Sequence, residues 1–360
     1  MGSATSLISI FNKKNNNSNT QQFINEQIKT SKDSLHQSQI FNQIIKNKEE
    51  KNYEYLVFSG GGLKGISYCG AVLNLEKIGI LYNEKGESKI KGYAGTSIGS
   101  LFASLLAIGY KPSDLSEILK SLDLTKFFDG KLEMIQDFAL IFENFGLCNG
   151  NYIDEFLGKL IKDKTGTPDY TFKQLYDDKQ IALVVVGTDI NYEKTVYFYH
   201  QNENQSFANI PIRKAIRISM SLPLIFHPVK YEGDLFVDGG ILDNFPIHVF
   251  DGKYPGDIKA KLNLCNPNPK VLGLRIIPED EEPNVIKKRQ NIDGFFNYCI
   301  SYINMFLLEN ERRIMTPANI LRTIHIITPD YPLTDFSLSL FQKLDLVKRG
   351  MDYTDDYFRI

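Results

Sequence analysis

Gly95-Thr96-Ser97-Ile98-Gly99 follows a short apolar stretch and opens a run with helical character, and this G-x-S-x-G pentapeptide constrains the fold more than any other feature. A serine that must stand clear of both a strand and a helix needs a tight turn. Glycines two residues to either side let the two backbones approach without a Cβ clash. Lys91-Gly-Tyr-Ala-Gly supplies the strand side and Ile98 to Ile108 the helix side. Alone, the pentapeptide also fits an ordinary turn, because Gly and Ser cluster in turns. As a nucleophile elbow it makes Ser97 a candidate nucleophile with Gly95 and Gly99 as its steric supports.

A chain of 360 residues with 42% hydrophobic content can bury a substantial core. A net charge of -2 and a pI near 6.3 give no global electrostatic reason to bind nucleic acid. Cys69, Cys148, Cys265 and Cys299 are too far apart for a zinc site or a disulfide framework. The short apolar piece Leu7 to Phe11 runs straight into Asn12-Lys-Lys-Asn-Asn-Asn, unlike a signal peptide, so the expected location is cytoplasmic, with a peripheral membrane association left open. Phe295 to Leu308 is the longest apolar stretch. Asn297, Ser301 and Asn304 interrupt it and it is too short to span a bilayer, so a buried helix is expected rather than a membrane-surface one.

Residues 1–52 are rich in Asn, Gln, Ser, Thr and Lys without a sustained core pattern, and read as a mobile arm with at most a transient helix around Ser34 to Lys46. Met1-Gly-Ser-Ala-Thr-Ser6 fits the pattern for myristoylation of Gly2, as well as chance. Order is expected from Tyr53. Tyr55 to Phe58 reads as a buried strand, Ile66 to Ile80 as a helix, and Ile90 to Ala94 as the strand entering the serine turn. Helices are expected over Pro112 to Leu122, Leu132 to Phe145 and Tyr152 to Asp163; the Phe-rich Met134 to Phe145 reads as a packed helix, with a lid or bilayer-facing element as the alternative. Ile181 to Asp189 is a nearly uninterrupted β-branched run, the mark of a central strand covered on both faces. Thr195 to Tyr199 and Lys270 to Ile277 look like further strands. Strands separated by helical stretches indicate an α/β domain with a mainly parallel sheet between helix layers. Residues 53–250 hold the motifs, and 251–360 complete the same domain.

Gly60-Gly-Gly-Leu-Lys-Gly65 sits where a strand hands over to a helix, a site where exposed N–H groups suit an anion or a developing oxyanion. It also matches the dinucleotide fingerprint, but that reading needs an acidic residue ending a second strand, and Glu84 and Glu87 fall in a polar loop. Lys64 is followed by Gly65, so no P-loop is present. Downstream, Phe236-Val-Asp-Gly-Gly240 puts Asp238 at a strand end with Gly239 and Gly240 behind it. Ser219-Met-Ser-Leu-Pro-Leu-Ile-Phe-His-Pro228 precedes it and Asp243-Asn-Phe-Pro246 follows. A plain turn explains Asp-Gly-Gly as well as a catalytic carboxylate does. Asp355-Asp356 and Glu279-Asp-Glu-Glu282 lack the alternating oxygen ligands of a calcium loop.

In this order the three motifs resemble the patatin-like phospholipase family, over roughly Tyr53 to Phe250. The resemblance implies a three-layer α/β/α acyl hydrolase that uses a Ser-Asp dyad without a catalytic histidine. Ser97 would match the nucleophile, Asp238 the base, and Gly60, Gly61 and Gly62 the oxyanion loop. Lys64 stands where many relatives carry arginine, keeping the charge but not the planar fork. No metal or cofactor is required. The implied substrate is a phospholipid or another lipid ester, and a protein activator is possible in such a family. Two alternatives remain at this level. One is a Ser-Asp-His triad drawing on His248 or His325, with His227, His200 and His36 carrying less signal; the other is a silent lipid-binding or interaction module.

Overall fold

The computed structural model describes residues 34–121, 123–128, 143–279, 289, 291–329, 331 and 338–359. Its centre is an 8-stranded sheet. The strands are β1 (Tyr55–Phe58), β2 (Gly92–Gly95), β4 (Ala182–Asp189), β5 (Lys194–Phe198), β7 (Val229–Tyr231), β8 (Asp234–Asp238), β9 (Val271–Pro278) and β10 (Thr323–Thr328). They run in the order β10-β9-β1-β2-β4-β8-β7, with β5 pairing on β4. From β10 to β4 every pairing is parallel; β5, β7 and β8 add antiparallel pairings. A separate two-stranded piece joins β3 (Gly146–Cys148) to β6 (Leu224–Phe226).

Successive side chains of a strand point to opposite faces, and here they divide between two cores. Leu56, Phe58, Leu183 and Val185 join one buried cluster. Val57, Val184 and Val186 join another. Both faces of β1 and β4 are therefore covered, which is why their sequences run apolar without alternation. This is the expected α/β sandwich. The strands expected at Tyr55 to Phe58 and Ile181 to Asp189 are present, and β10 was not foreseen.

The helices that frame the site are α1 (Ser34–Glu49), α2 (Ser67–Lys77), α3 (Ile98–Ile108), α4 (Pro112–Ser121), α5 (Asn151–Thr165), α6 (Phe172–Lys179), α7 (Ile212–Ser219), α8 (Gly294–Ile314), α9 (Pro317–Leu321) and α10 (Leu340–Arg359). α2 and α10 cross where glycine faces glycine. A Cβ on Gly70 would overlap the Val347 carbonyl, and one on Gly350 would overlap the Ser67 carbonyl. Asn74 secures the crossing, donating to Met351 O at 2.9 Å and Asp355 Oδ1 at 2.6 Å.

Two expectations change. The polar arm is ordered earlier than Tyr53: Phe41 and Ile44 of α1 are buried against Ala318 and Leu321 of α9. Two apolar side chains at helical spacing and a receptive partner suffice, and composition averaged over the arm hides them. The apolar run of α8 is not a buried helix. Phe296 and Ile300 face inward, whereas Phe295, Tyr298, Tyr302, Met305 and Phe306 are exposed, Phe295 at 62%. Most of the helix expected over Leu132 to Phe145, Gly2, and the acidic run beyond Glu279 lie outside the described residues.

Gly350→Ala is expected to force the α2–α10 crossing apart and cost roughly 2 to 3 kcal/mol. Denaturant unfolding of that variant beside Gly166→Ala, where a Cβ would meet open space, checks it: the left-handed position should cost only about 1 kcal/mol.

Candidate active site

The turn from β2 into α3 holds Ser97 at φ 52 and ψ -129, a conformation few non-glycine residues adopt. Strain of this kind costs of order 1 to 3 kcal/mol and persists only where surrounding structure enforces it. The enforcement is visible. A Cβ on Gly95 would overlap the backbone of Gly99, and one on Gly99 would stand 2.5 Å from Ser59 O and 2.6 Å from Phe58 O. The Ser97 N–H donates to Ser219 Oγ at 2.9 Å, Ser100 Oγ donates to Ser97 O at 2.6 Å, and Thr96 Oγ1 donates to Asp243 O at 2.9 Å.

Asp238 ends β8, and antiparallel pairing with β4 sets it opposite Gly187. Its main-chain N–H donates to Ser221 O at 2.9 Å. The segment Ser219 to Ser221 thus holds both Ser97 and Asp238, one through a hydroxyl and the other through a carbonyl. Arg217 fixes that segment, bonding Ser221 Oγ and donating to Asn149 O at 2.7 Å. A Cβ on Gly239 would overlap Val186 O, so only glycine lets the chain turn away there. The Gly240 N–H donates to Asp238 Oδ1 at 2.7 Å. Burial pushes the Asp238 pKa up from 3.8 to about 7, while the Gly240 N–H and the Ser97 side chain pull the other way. The serine side chain thus acts on a carboxylate poised near neutrality, with the aspartate buried and the serine only partly so.

The glycine loop follows β1 directly. The Gly60 N–H donates to Asn244 O at 2.9 Å, so it is not available to an oxyanion and the expectation for this residue is corrected. Its part is steric, since a Cβ there would overlap Asn244 Oδ1 and approach Ser97 Cβ at 3.3 Å. Gly61 and Gly62 enter a 3-10 turn, Gly62–Ile66, whose first N–H groups have no partner within the turn. Neither N–H finds an acceptor among the described residues. Lys64 is buried in the same turn, and Gly65 lies against the Ile98 side chain, where a Cβ would come within 2.5 Å.

Three histidines stand elsewhere. His248 Nε2 lies 3.0 Å from Asp243 Oδ2, and the same oxygen accepts Tyr197 OH at 2.7 Å. His325 is buried on β10, its pKa driven down to about 3 by burial and by Arg275, with the Ile320 backbone opposing weakly. His200 stacks on Tyr176 with ring centroids 3.7 Å apart. Among the described residues no histidine ring pairs with Ser97 or Asp238. Ser219, Ser221 and Asn244 lie in the stretches flanking Asp238, where nothing local marks these contacts, and Arg217 carries no sequence signal at all.

Since the folded chain holds the Asp238 proton up to about pH 7 and the unfolded chain releases it near 4, this residue's contribution to stability is lost as pH rises through that window. Asp238→Asn is therefore expected to be more stable than the parent at pH 8, by at most about 4 kcal/mol, with the gap closing at pH 4. Thermal unfolding at the two pH values checks the sign.

Comparisons with known proteins bear on the fold and the family. The fold is shared with VipD from Legionella pneumophila at a TM-score of 0.52 and 18% identity, over 86% of this chain and 67% of that one. A protein of Acanthamoeba polyphaga mimivirus is 29% identical over 314 residues, 86% of this chain and 95% of its own length. A probable lipid hydrolase of Invertebrate iridescent virus 6 is 29% identical over 205 residues, 55% of this chain and 63% of its own length. The family model described as patatin-like phospholipase matches residues 56–251, which span the glycine loop, the serine turn and Asp238. The chain belongs to the patatin-like phospholipase family and is a lipid hydrolase.

Proposed function

We propose that the chain is a phospholipase A type acyl hydrolase that releases fatty acid from phospholipid esters through a Ser97-Asp238 dyad. The observation that carries this reading is a strained serine set against a buried carboxylate whose pKa is raised to about 7. Ser97 Oγ attacks the ester carbonyl carbon as its proton passes to Asp238. The carbonyl oxygen takes up the negative charge and the unpartnered N–H groups of Gly61 and Gly62 stabilise it, at roughly 3 to 4 kcal/mol per donor. Collapse expels the alcohol, which leaves with the proton from Asp238. Water then gives a proton to Asp238 and attacks the acyl-serine; the fatty acid departs and the proton returns to Ser97. A carboxylate at its ordinary pKa is a weak base, and burial is what brings this one close to the pH at which it works.

The outer face of α8 supports action at a lipid surface. Its inner face abuts the Asp238 turn: Leu307 Cδ2 lies 2.9 Å from where a Cβ on Gly240 would stand, and Asn310 Nδ2 donates to Ile241 O at 2.7 Å. The opposite face carries Phe295, Tyr298, Tyr302 and Phe306, the aromatic composition of interfacial helices. No helix among the described residues is long and apolar enough to cross a membrane.

A fluorophosphonate probe should label the protein at Ser97 and should fail to label Ser97→Ala; labelling elsewhere, or none, rejects the nucleophile. Asp238→Asn should lower kcat on a soluble acyl ester about 10²- to 10⁴-fold, whereas alanine at His248 or His325 should spare a folded enzyme. Because the base must be ionised, the rate should climb through an apparent pKa near 7 and level off above it. Phe295→Ser combined with Tyr298→Ser should reduce turnover of phospholipid vesicles about 10-fold while leaving the soluble ester unaffected; equal loss on both substrates rejects the surface role.

A further inference from the structure

Glu311 is buried near the inner end of α8, and its carboxylate bridges two elements that support the glycine loop. Glu311 Oε2 accepts the Arg275 Nε–H at 2.6 Å, and Oε1 accepts Asn244 Nδ2. The Lys64 charge also acts on this carboxylate. Each partner leads to the loop. On one side, Asn244 O receives the Gly60 N–H at 2.9 Å, and its side-chain oxygen fills the space a Cβ would need on Gly60 or Gly240. On the other, Arg275 lies between Leu274 and Ile276, the residues that tie down the loop's first residue: Ser59 N–H donates to Leu274 O at 3.0 Å and Ile276 N–H to Ser59 Oγ at 3.2 Å.

We propose that Glu311 is a positioning residue that, through Asn244 and Arg275, fixes the glycine loop so that the Gly61 and Gly62 N–H groups converge at the Ser97 hydroxyl. The inference rests on the dyad reading above and goes beyond it, because Glu311 touches neither Ser97 nor Asp238. A buried carboxylate is a poor way to gain stability, since well-packed apolar groups of similar volume commonly match or exceed an ion pair. What the pair adds is direction. Two charge-assisted hydrogen bonds set the Asn244 amide and the Arg275 guanidinium at defined angles, and the loop is held between them. Oxyanion donors act only at the right distance, and a misplacement near 1 Å costs on the order of 100-fold in rate. The same carboxylate belongs to the helix whose outer face is aromatic, so the seating of α8 and the geometry of the loop are mechanically one unit.

Glu311→Gln keeps the shape but replaces one acceptor oxygen with an amide donor, leaving either Asn244 or Arg275 without its bond. On a soluble acyl ester its kcat is expected to fall about 10- to 100-fold with KM within about 2-fold, and the rate of fluorophosphonate labelling should fall in parallel. The acid limb near pH 7 should stay in place, since Asp238 is untouched. Asp251→Asn breaks a second buried ion pair, Arg322 Nη2 to Asp251 Oδ2 at 2.5 Å, which makes no bond to the loop; it should lower Tm and leave kcat near the parent's. Should Glu311→Gln fold poorly, the double replacement Arg275→Met with Glu311→Met removes both partners of the ion pair together, and the same loss of kcat is expected from it. Parent-like kcat in a folded Glu311 variant, a change confined to KM, or an equal kcat loss in Asp251→Asn overturns the inference while leaving the dyad intact. A parent protein that is not labelled at Ser97 overturns the dyad and this inference with it.

Discussion

The site depends on backbones approaching more closely than side chains allow. At the ends of β1, β2 and β8 the chain must turn sharply while neighbouring main chains lie within van der Waals contact. Gly60, Gly95, Gly99 and Gly239 occupy the points where a Cβ would collide with a carbonyl, a side-chain amide or a neighbouring peptide. Once those backbones close, Ser97 has nowhere to go but φ 52, and its side chain is lifted clear of both β2 and α3. The strain is enforced by packing and by the bond from its N–H to Ser219 Oγ, because no local preference would favour it.

Burial then sets the electrostatics. Asp238 lies beside that serine with little access to water, so its charged form loses hydration and its pKa climbs to about 7. A proton acceptor working near neutrality is the task histidine performs in many hydrolases, and burial brings an aspartate into the same range. Of the two histidines that sequence order made eligible, His325 is buried on β10 and His248 pairs with Asp243, whose main-chain carbonyl accepts the Thr96 hydroxyl beside the serine turn.

Much of the site was legible in the sequence because its requirements are local. G-x-S-x-G, the glycine loop and Asp-Gly-Gly each encode a turn whose steric demand falls on adjacent residues, and β1 and α3 begin and end within a residue or two of their expected bounds. What could not be read depends on contacts between distant segments. The Gly60 N–H looked available until Asn244, far along the chain, was seen to take it. Ser219 and Ser221 sit in the stretch before Asp238, but nothing local says that one bonds Ser97 and the other Asp238. Phe295 to Leu308 has the composition of a core helix, and hydrophobicity alone does not reveal that one face stays exposed. Conversely, Phe41 and Ile44 stand out too little from a polar arm to announce a docked helix.

The sequence by itself determined where the chain turns, which residues lie on a two-sided sheet, and which serine and aspartate share a family's motif order, because backbone sterics and side-chain alternation act over a few residues. Only the tertiary structure decided which N–H groups remain open to a developing charge, how far burial shifts Asp238, and that Glu311 joins Asn244 to Arg275 behind the loop. Those properties belong to desolvation and to hydrogen bonds between elements remote in sequence. Neither exists until the layers have closed.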